Sequence, residues 1–477
     1  MQKGPDMPVW QFLKKNINKF LLVSALAALF SAIQIFAKIP VQDEISGLIR
    51  WVGLAPLILY GLIKNKLTPW IFISMLIGAE IGYDFPHIGQ ELNVLSKVFI
   101  KLIKCIIAPL LFGTLIIGIS GHSNTKQLGR LGWKSLLYFE VVTTIALIIG
   151  LIAINISQAG VGIRMVETNE KLPEMAKAQG WKDIVLHSFP ENLIKSVSEG
   201  QILQIVVFCV LFAVALLMIP LEKRKPMLTF AESLSAIMFK FTDLVMHFAP
   251  FGVAGAIAYT ISNMGIDVLK NLLLLLATLY IALIVFVLAV LLPIALLAKI
   301  PLRRFLSHAA QPVTIAFGTA SSEAALPVAM ENMEKFGVSR EVTSFVLPTG
   351  LSFNLDGTTL YLSLATIFVA QAAGINLTIG QQVIMLLTLM LTSKGVAGVA
   401  RASLVILAGM AASFGLPEWP IAAILGIDAL MDMARTAVNT LGNCLATAVI
   451  GKWENELTIP KRADQWTEIE HPTKEIH

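Results

Sequence analysis

Five polar residues in the last long apolar stretch of this 477-residue chain are spaced to share one face of a helix. Asp428, Asp432, Arg435, Asn439 and Asn443 follow one another at steps of four, three, four and four, which stack side chains along one helical stripe. Their neighbours are mostly Ala, Leu, Met and Val, so the stripe must look into protein or a wet cavity rather than hydrocarbon. Arg435 offers a planar fork of N–H donors suited to a carboxylate. Asp432, one turn earlier, suits an ammonium group. Mutual neutralisation of Asp432 and Arg435 is the plainer alternative. An anion and a cation about 5 Å apart on one face match a zwitterion with an extra carboxylate, namely an acidic amino acid.

A stripe on one helix cannot enclose a ligand, and two other stretches supply walls. The segments of about 304–336 and 380–415 are apolar on both sides of small, polar centres, Gly318-Thr319-Ala320-Ser321-Ser322-Glu323 and Ser393-Lys394-Gly395-Val396-Ala397-Gly398. Each half is too short to cross a bilayer. Backbone that interrupts a helix at membrane depth needs partners for its freed N–H and C=O groups, so both segments are expected to be re-entrant helical hairpins covered by protein or a wet cavity. Their small residues let backbone N–H groups and helix N-termini approach an anion. Each hairpin is followed by an apolar run with a polar core, Asn354-Leu355-Asp356-Gly357-Thr358 and then Asp428 through Asn443. Hairpin plus broken helix occurs twice, entering from opposite sides by the charge count. That is the pattern of an inverted repeat with its binding site near the midplane.

The rest of the chain is built to hold such elements in a membrane. Hydrophobic residues make up 56% and charged residues 14%, with mean hydropathy +0.76, which excludes an ordinary soluble domain. The net charge of +5 comes from short clusters, Lys14/Lys15/Lys19, Lys64/Lys66, Lys126/Arg130/Lys134, Lys223/Arg224/Lys225 and Lys299/Arg303/Arg304. Placing each on the cytoplasmic side gives eight crossings before Arg303, at about 20–38, 46–63, 68–86, 98–120, 134–157, 200–219, 236–262 and 272–298. The N-terminus and Arg303/Arg304 then lie inside, and the C-terminus is expected there too. The second span is the weakest, because Arg50 leaves only Trp51 to Ile63 as a clean apolar run, about 20 Å at the helical rise. Residues 159–199 read as a solvated external loop and 456–477 as a cytoplasmic tail. Cys105, Cys209 and Cys444 sit in apolar runs without metal-ligand spacing, so they are expected to be inert packing residues. No basic stripe with interleaved aromatics suits a nucleic acid. No Ser/His or His/carboxylate set suits an enzyme, and His247 stands alone as a packing residue.

GTASSEAALP at 318–327, SFNLDGTTLY at 352–361, SKGVAG at 393–398 and LGIDALMDMARTAVNTLGN at 425–443 resemble the dicarboxylate/amino acid:cation symporters, the glutamate transporter family. The resemblance covers about residues 68–455 and leaves 1–67 as an extension with one or two extra membrane segments. It implies an all-α polytopic membrane protein, an inverted-repeat elevator transporter assembled as a homotrimer in the cell (inner) membrane. Residues 68–133 and 158–271 would be mainly scaffold, and 134–157 and 272–455 mainly the moving transport domain. By motif position, Ser321 and Ser322 would meet the substrate main-chain carboxylate, with Thr358, Gly398 and Val399 around it. Asp432 would hold the amino group, Arg435 the side-chain carboxylate, and Thr436 and Asn439 the remaining polar edges. Cation positions would fall on Thr143, Thr144, Gly350, Asn354, Asp356 and Asn439. The implied partners are an acidic amino acid and membrane lipid, with no organic cofactor.

Departures from the family pattern bear on the coupling ion. Sodium-coupled members usually carry a carboxylate where this chain has Asn443 and a tyrosine at the position of Glu140. Losing a carboxylate weakens a site for a hard cation, while Glu140 and Glu323 place two acids at membrane depth, where carboxyls serve as proton carriers. The pattern resembles the bacterial proton/glutamate branch most, so H+ is the expected coupling ion, with Na+ as the alternative. The dicarboxylate branch shares Asn443 but typically lacks the acid matching Asp432. Arg401 stands where the second hairpin tip is usually Gly-Val-Pro-Gly, and is read either as a gate cation pairing with Glu323 or as a side chain reaching into water.

Overall fold

The computed structural model describes residues 21–27, 30, 43–64, 66–120, 127–163, 189–199, 202–392, 402–417 and 419–458. Among them every regular element is helical, and the one β pairing is an isolated bridge between Val338 and Leu457. The first expected span is described only over residues 21–27 and 30, which are helical. The second and third form α1 (Asp43–Lys64) and α2 (Leu67–Asp84). A short α3 (Pro86–Glu91) precedes α4 (Asn93–Ser120) and α5 (Gln127–Ser157). Within the expected external loop, residues 159–163 and 189–199 are described, with a turn at 159–162 and α6 (Leu193–Ser198). Then come α7 (Ile202–Met218), α8 (Leu221–Met246) and α9 (Ala249–Met264).

The span expected at 236–262 is two helices. α8 and α9 meet at a 50° bend around His247–Phe248. Pro250, in the first turn of α9, lacks the N–H a continuous helix would need there, and a proline is tolerated at that position because the first N–H groups of a helix have no partner anyway. His247 is exposed at this break, not packed, and its Nδ1 lies 2.7 Å from the Asp243 carbonyl. Cys209 and Cys444 are buried as expected, whereas Cys105 is exposed.

The last expected span before Arg303 is also interrupted. α10 (Val268–Phe286) passes through a π-helical turn, Val287–Leu291, into α11 (Leu292–Leu297). Pro293 stands at the start of α11 and cannot donate to the turn before it, so the chain widens by a residue, and the Leu292 N–H reaches back to the Val287 carbonyl.

Beyond residue 300 the helices come in pairs: α12 (Leu302–Thr319) with α13 (Ser322–Phe336), α14 (Arg340–Phe353) with α15 (Asp356–Ala372), α16 (Ile379–Thr392) with α17 (Ala402–Ser413), and α18 (Trp419–Leu425) with α19 (Asp428–Trp453). α15 is buried on all sides from Asp356 to Ala370, surrounded by α5, α10, α16, α17, α18 and α19. Its anchor to α5 includes the Ser363 hydroxyl, which donates to the Leu147 carbonyl at 2.9 Å. A second packed group consists of α2, α4, α7, α8 and α9. Three helices (Ile45–Lys64, Leu131–Ser157, Val268–Leu297) are long and apolar enough to cross a membrane among the described residues, or four if the bent α8–α9 pair is one span.

Candidate functional site

The break between α14 and α15 is held open by a side chain from another helix. The first N–H groups of any helix lack intrahelical acceptors. Here Asn439 of α19 supplies one: its Oδ1 accepts from the N–H of Gly357 at 2.8 Å and of Thr358 at 3.2 Å. Its Nδ2 donates to Thr358 Oγ1 at 2.9 Å. Gly357 is required by this contact, since a Cβ there would stand 2.4 Å from the Arg435 carbonyl oxygen. A side chain at Gly442 would likewise meet Asp356 Oδ2 at 2.0 Å. The α14–α15 interruption and α19 therefore share one buried volume.

Within it, the predicted helical stripe is complete. Asp428, Asp432, Arg435, Asn439 and Asn443 are all buried, Arg435 at 1% exposure. Arg435 Nε donates to Asp432 Oδ1 at 2.9 Å, and Nη1 donates to Asp428 Oδ1 at 3.1 Å. Thr436 Oγ1 donates to Asp432 Oδ1 at 3.3 Å. The guanidinium carbon lies 4.3 Å from the centre of the Tyr361 ring, so the cation is flanked by two carboxylates and an aromatic face. One turn further, Asn354 Nδ2 donates to Asn443 Oδ1 at 3.0 Å and to Asp356 Oδ2 at 3.3 Å, and Gly350 lies against the Asn443 amide. Arg435 Nη2, Asn354 Oδ1 and Asn443 Nδ2 are buried with no hydrogen-bond partner in the protein. Each such group costs about 1–3 kcal/mol. The spare donor on Arg435 suits an anion, and the amide oxygen of Asn354 beside Asp356 suits a hard cation.

The other predicted residues are placed as follows. Ser321 caps α13, its Oγ accepting from the Ala324 N–H at 3.2 Å, after Ala320 turns the chain through a left-handed conformation at φ 50°. Ser322 is buried, and α12 and α13 both pack on α19. Glu323 is exposed, and among the described residues Lys240 and Asp243 of α8 are charges that act on it. Thr143 is buried on α5 and its hydroxyl donates to the Phe139 carbonyl at 2.7 Å, while Thr144 and Glu140 are half-buried on the same helix. Gly398, Val399 and Arg401 lie outside the described residues.

Residues 67–453 match the sodium:dicarboxylate symporter family. The chain belongs to that family. Among its relatives are a proton/sodium-glutamate symport protein of Bacillus caldotenax, 39% identical over 85% of this chain and 99% of that one, and a proton/glutamate-aspartate symporter of Escherichia coli, 40% identical over 83% and 94%. A C4-dicarboxylate transport protein of Bacillus subtilis is 39% identical over 83% and 95%. The resemblance carried by the four motifs is borne out. As a family member the chain is a multi-pass membrane symporter, a transporter and not an enzyme. The family region begins at the first residue of α2 and ends at the last of α19, so α1 precedes it.

Two residues of the symporter's cluster received no role from the sequence. Asp428 was recognisable as a member of the stripe, but its pairing with Arg435 across seven residues depends on how the arginine folds back. Tyr361, in the second quoted motif, lies under Arg435 only because α15 crosses α19.

Proposed function

We propose that this chain is a secondary active symporter that takes up glutamate or aspartate together with protons, by elevator movement of a transport domain against a fixed scaffold. The observation that carries the reading is the buried Arg435 clasped by Asp432 and Asp428 with its Nη2 amino group left without a partner. A substrate side-chain carboxylate satisfies that donor, and its ammonium group takes a share of Asp432. The relatives' names include glutamate, glutamate-aspartate and C4-dicarboxylate carriers. Asp432 favours the amino acids, since a dicarboxylate brings no positive charge to offset this buried carboxylate.

In this reading α12–α13 and α16–α17 are the two re-entrant hairpins over the site. The helices gathered round α15 form the moving body, and those gathered round α4 and α9 form the scaffold of a homotrimer, with both termini cytoplasmic. Asn443 leaves Asp356 as the one carboxylate in the Asn354–Asp356–Asn443 group, which supports protons over sodium as the coupling ion. Uptake of labelled glutamate, aspartate and succinate into proteoliposomes, with proton and sodium gradients imposed separately, tests substrate and ion together. Accumulation of succinate alone, or no accumulation against a gradient, would overturn the proposal.

A further inference from the structure

The 43–64 helix lies outside the family region, yet it is tied to the first family helix by a cluster of charges around Arg50. Arg50 Nε and Glu80 Oε2 are 2.6 Å apart, and so are Arg50 Nη2 and Asp84 Oδ1. Arg50 Nη1 donates to Ser46 Oγ at 3.0 Å, Trp51 Nε1 donates to Asp84 Oδ2 at 2.8 Å, and the guanidinium lies 5.1 Å from the Tyr83 ring centre. All three charged side chains are about four-fifths buried. The contact runs the length of both helices in antiparallel register, with Gly47 against Asp84 at one end and Gly61 against Trp70 and Ile73 at the other.

α2 is thereby held on two opposite faces. Gly78 and Gly82 meet the backbone of Ala254 and Ala258 on α9. Glu80 and Asp84 project from the other side, where they would face hydrocarbon if α1 were elsewhere, an arrangement membranes disfavour. The outward face of α1 carries Ile45, Leu48, Val52 and Leu62, all exposed and apolar. Charge inward and hydrocarbon outward is the arrangement of a membrane helix seated on protein.

We infer that α1 is a built-in accessory helix of the scaffold, for which the Glu80–Tyr83–Asp84 edge of α2 is the docking surface and Arg50 the seating residue. Its staying still during transport rests on the elevator reading; its docking does not. The relatives above are matched over 94–99% of their own lengths by 83–85% of this chain, and the family region begins only after the helix.

The test uses the full chain with its three cysteines replaced by alanine. A Gly61→Cys/Ile73→Cys pair should cross-link on oxidation and leave uptake unchanged between oxidised and reduced protein. Failure to cross-link, or uptake lost on oxidation and restored by reductant, would overturn the inference. A second arm needs no transport. Arg50→Ala should lower the Tm of the purified protein by several degrees, and adding Glu80→Gln and Asp84→Asn should recover most of the loss, because the harm lies in carboxylates left without a cation. An unchanged Tm in Arg50→Ala would also overturn it. A chain that docks α1 but does not carry these substrates would cross-link and pass the thermal arm while showing no uptake in either redox state.

Discussion

Asn439 and Thr358 hold each other by two hydrogen bonds of opposite sense, the Thr358 N–H donating to Asn439 Oδ1 at 3.2 Å and Asn439 Nδ2 donating to Thr358 Oγ1 at 2.9 Å. One amide group thus caps the start of α15 and fixes its distance from α19. Asn439→Ala should lower stability by about 1–3 kcal/mol, the cost of leaving buried N–H groups unpaired. Thr358→Val, which removes only the hydroxyl contact, should cost about 1 kcal/mol. Thermal unfolding of the two purified variants checks the order, and equal losses would deny Asn439 its capping role.

Asp432→Asn should abolish glutamate and aspartate uptake while doing much less to any succinate transport. Only the amino acids bring an ammonium group, and a charged hydrogen bond lost at a buried site costs about 1.5–3 kcal/mol, roughly a tenfold to hundredfold loss of affinity. Competition assays with the three substrates decide it. Equal loss for all three would make Asp432 structural.

Arg435→Ala removes the cation from between two buried carboxylates, Asp428 and Asp432. Breaking a buried pair in this way costs about 3–5 kcal/mol, so the single variant should express poorly. Arg435→Ala with Asp428→Asn should recover stability without recovering uptake of acidic substrates, and should admit neutral amino acids. Glutamate affinity surviving in the double variant would remove Arg435 from the site.

An inward proton gradient should drive accumulation in sodium-free buffer, and Glu140→Gln or Glu323→Gln should uncouple it in the residue that carries the proton. Exchange of internal for external substrate needs no net proton movement and should persist in that variant. Accumulation that requires sodium and ignores pH would overturn the choice of coupling ion.

The contrast between what could be read in advance and what could not follows from the range of the forces involved. The stripe from Asp428 to Asn443 was legible because helical periodicity is local and the apolar flanks leave it only one direction to face. The interruption at Asn354–Leu355 was legible from polar residues inside an apolar run, but its cap, Asn439, lies more than eighty residues away. The bend at His247–Phe248 was missed because 236–262, despite Lys240, Asp243 and His247, is apolar enough to pass as one span; Pro250 was the available signal. Arg50 made the second span look weak when taken alone, and Glu80 and Asp84 supply what it lacked.

The π turn at Val287–Leu291 sets a phase relation along its span. One surplus residue advances everything after it by about 100° around the axis relative to an unbroken helix. Before the turn, Tyr280 donates its hydroxyl hydrogen to the Leu430 carbonyl at 2.9 Å, between Asp428 and Asp432 in sequence. After it, Ala295 and Ile300 are buried while Leu296 and Leu297 face outward. Deleting exposed Leu288 would let the segment close into a regular helix, but Ala295 would rotate out of the interior or Tyr280 would swing away from Leu430. The irregularity acts as a gear offset, keeping both ends meshed with different neighbours along a single rod.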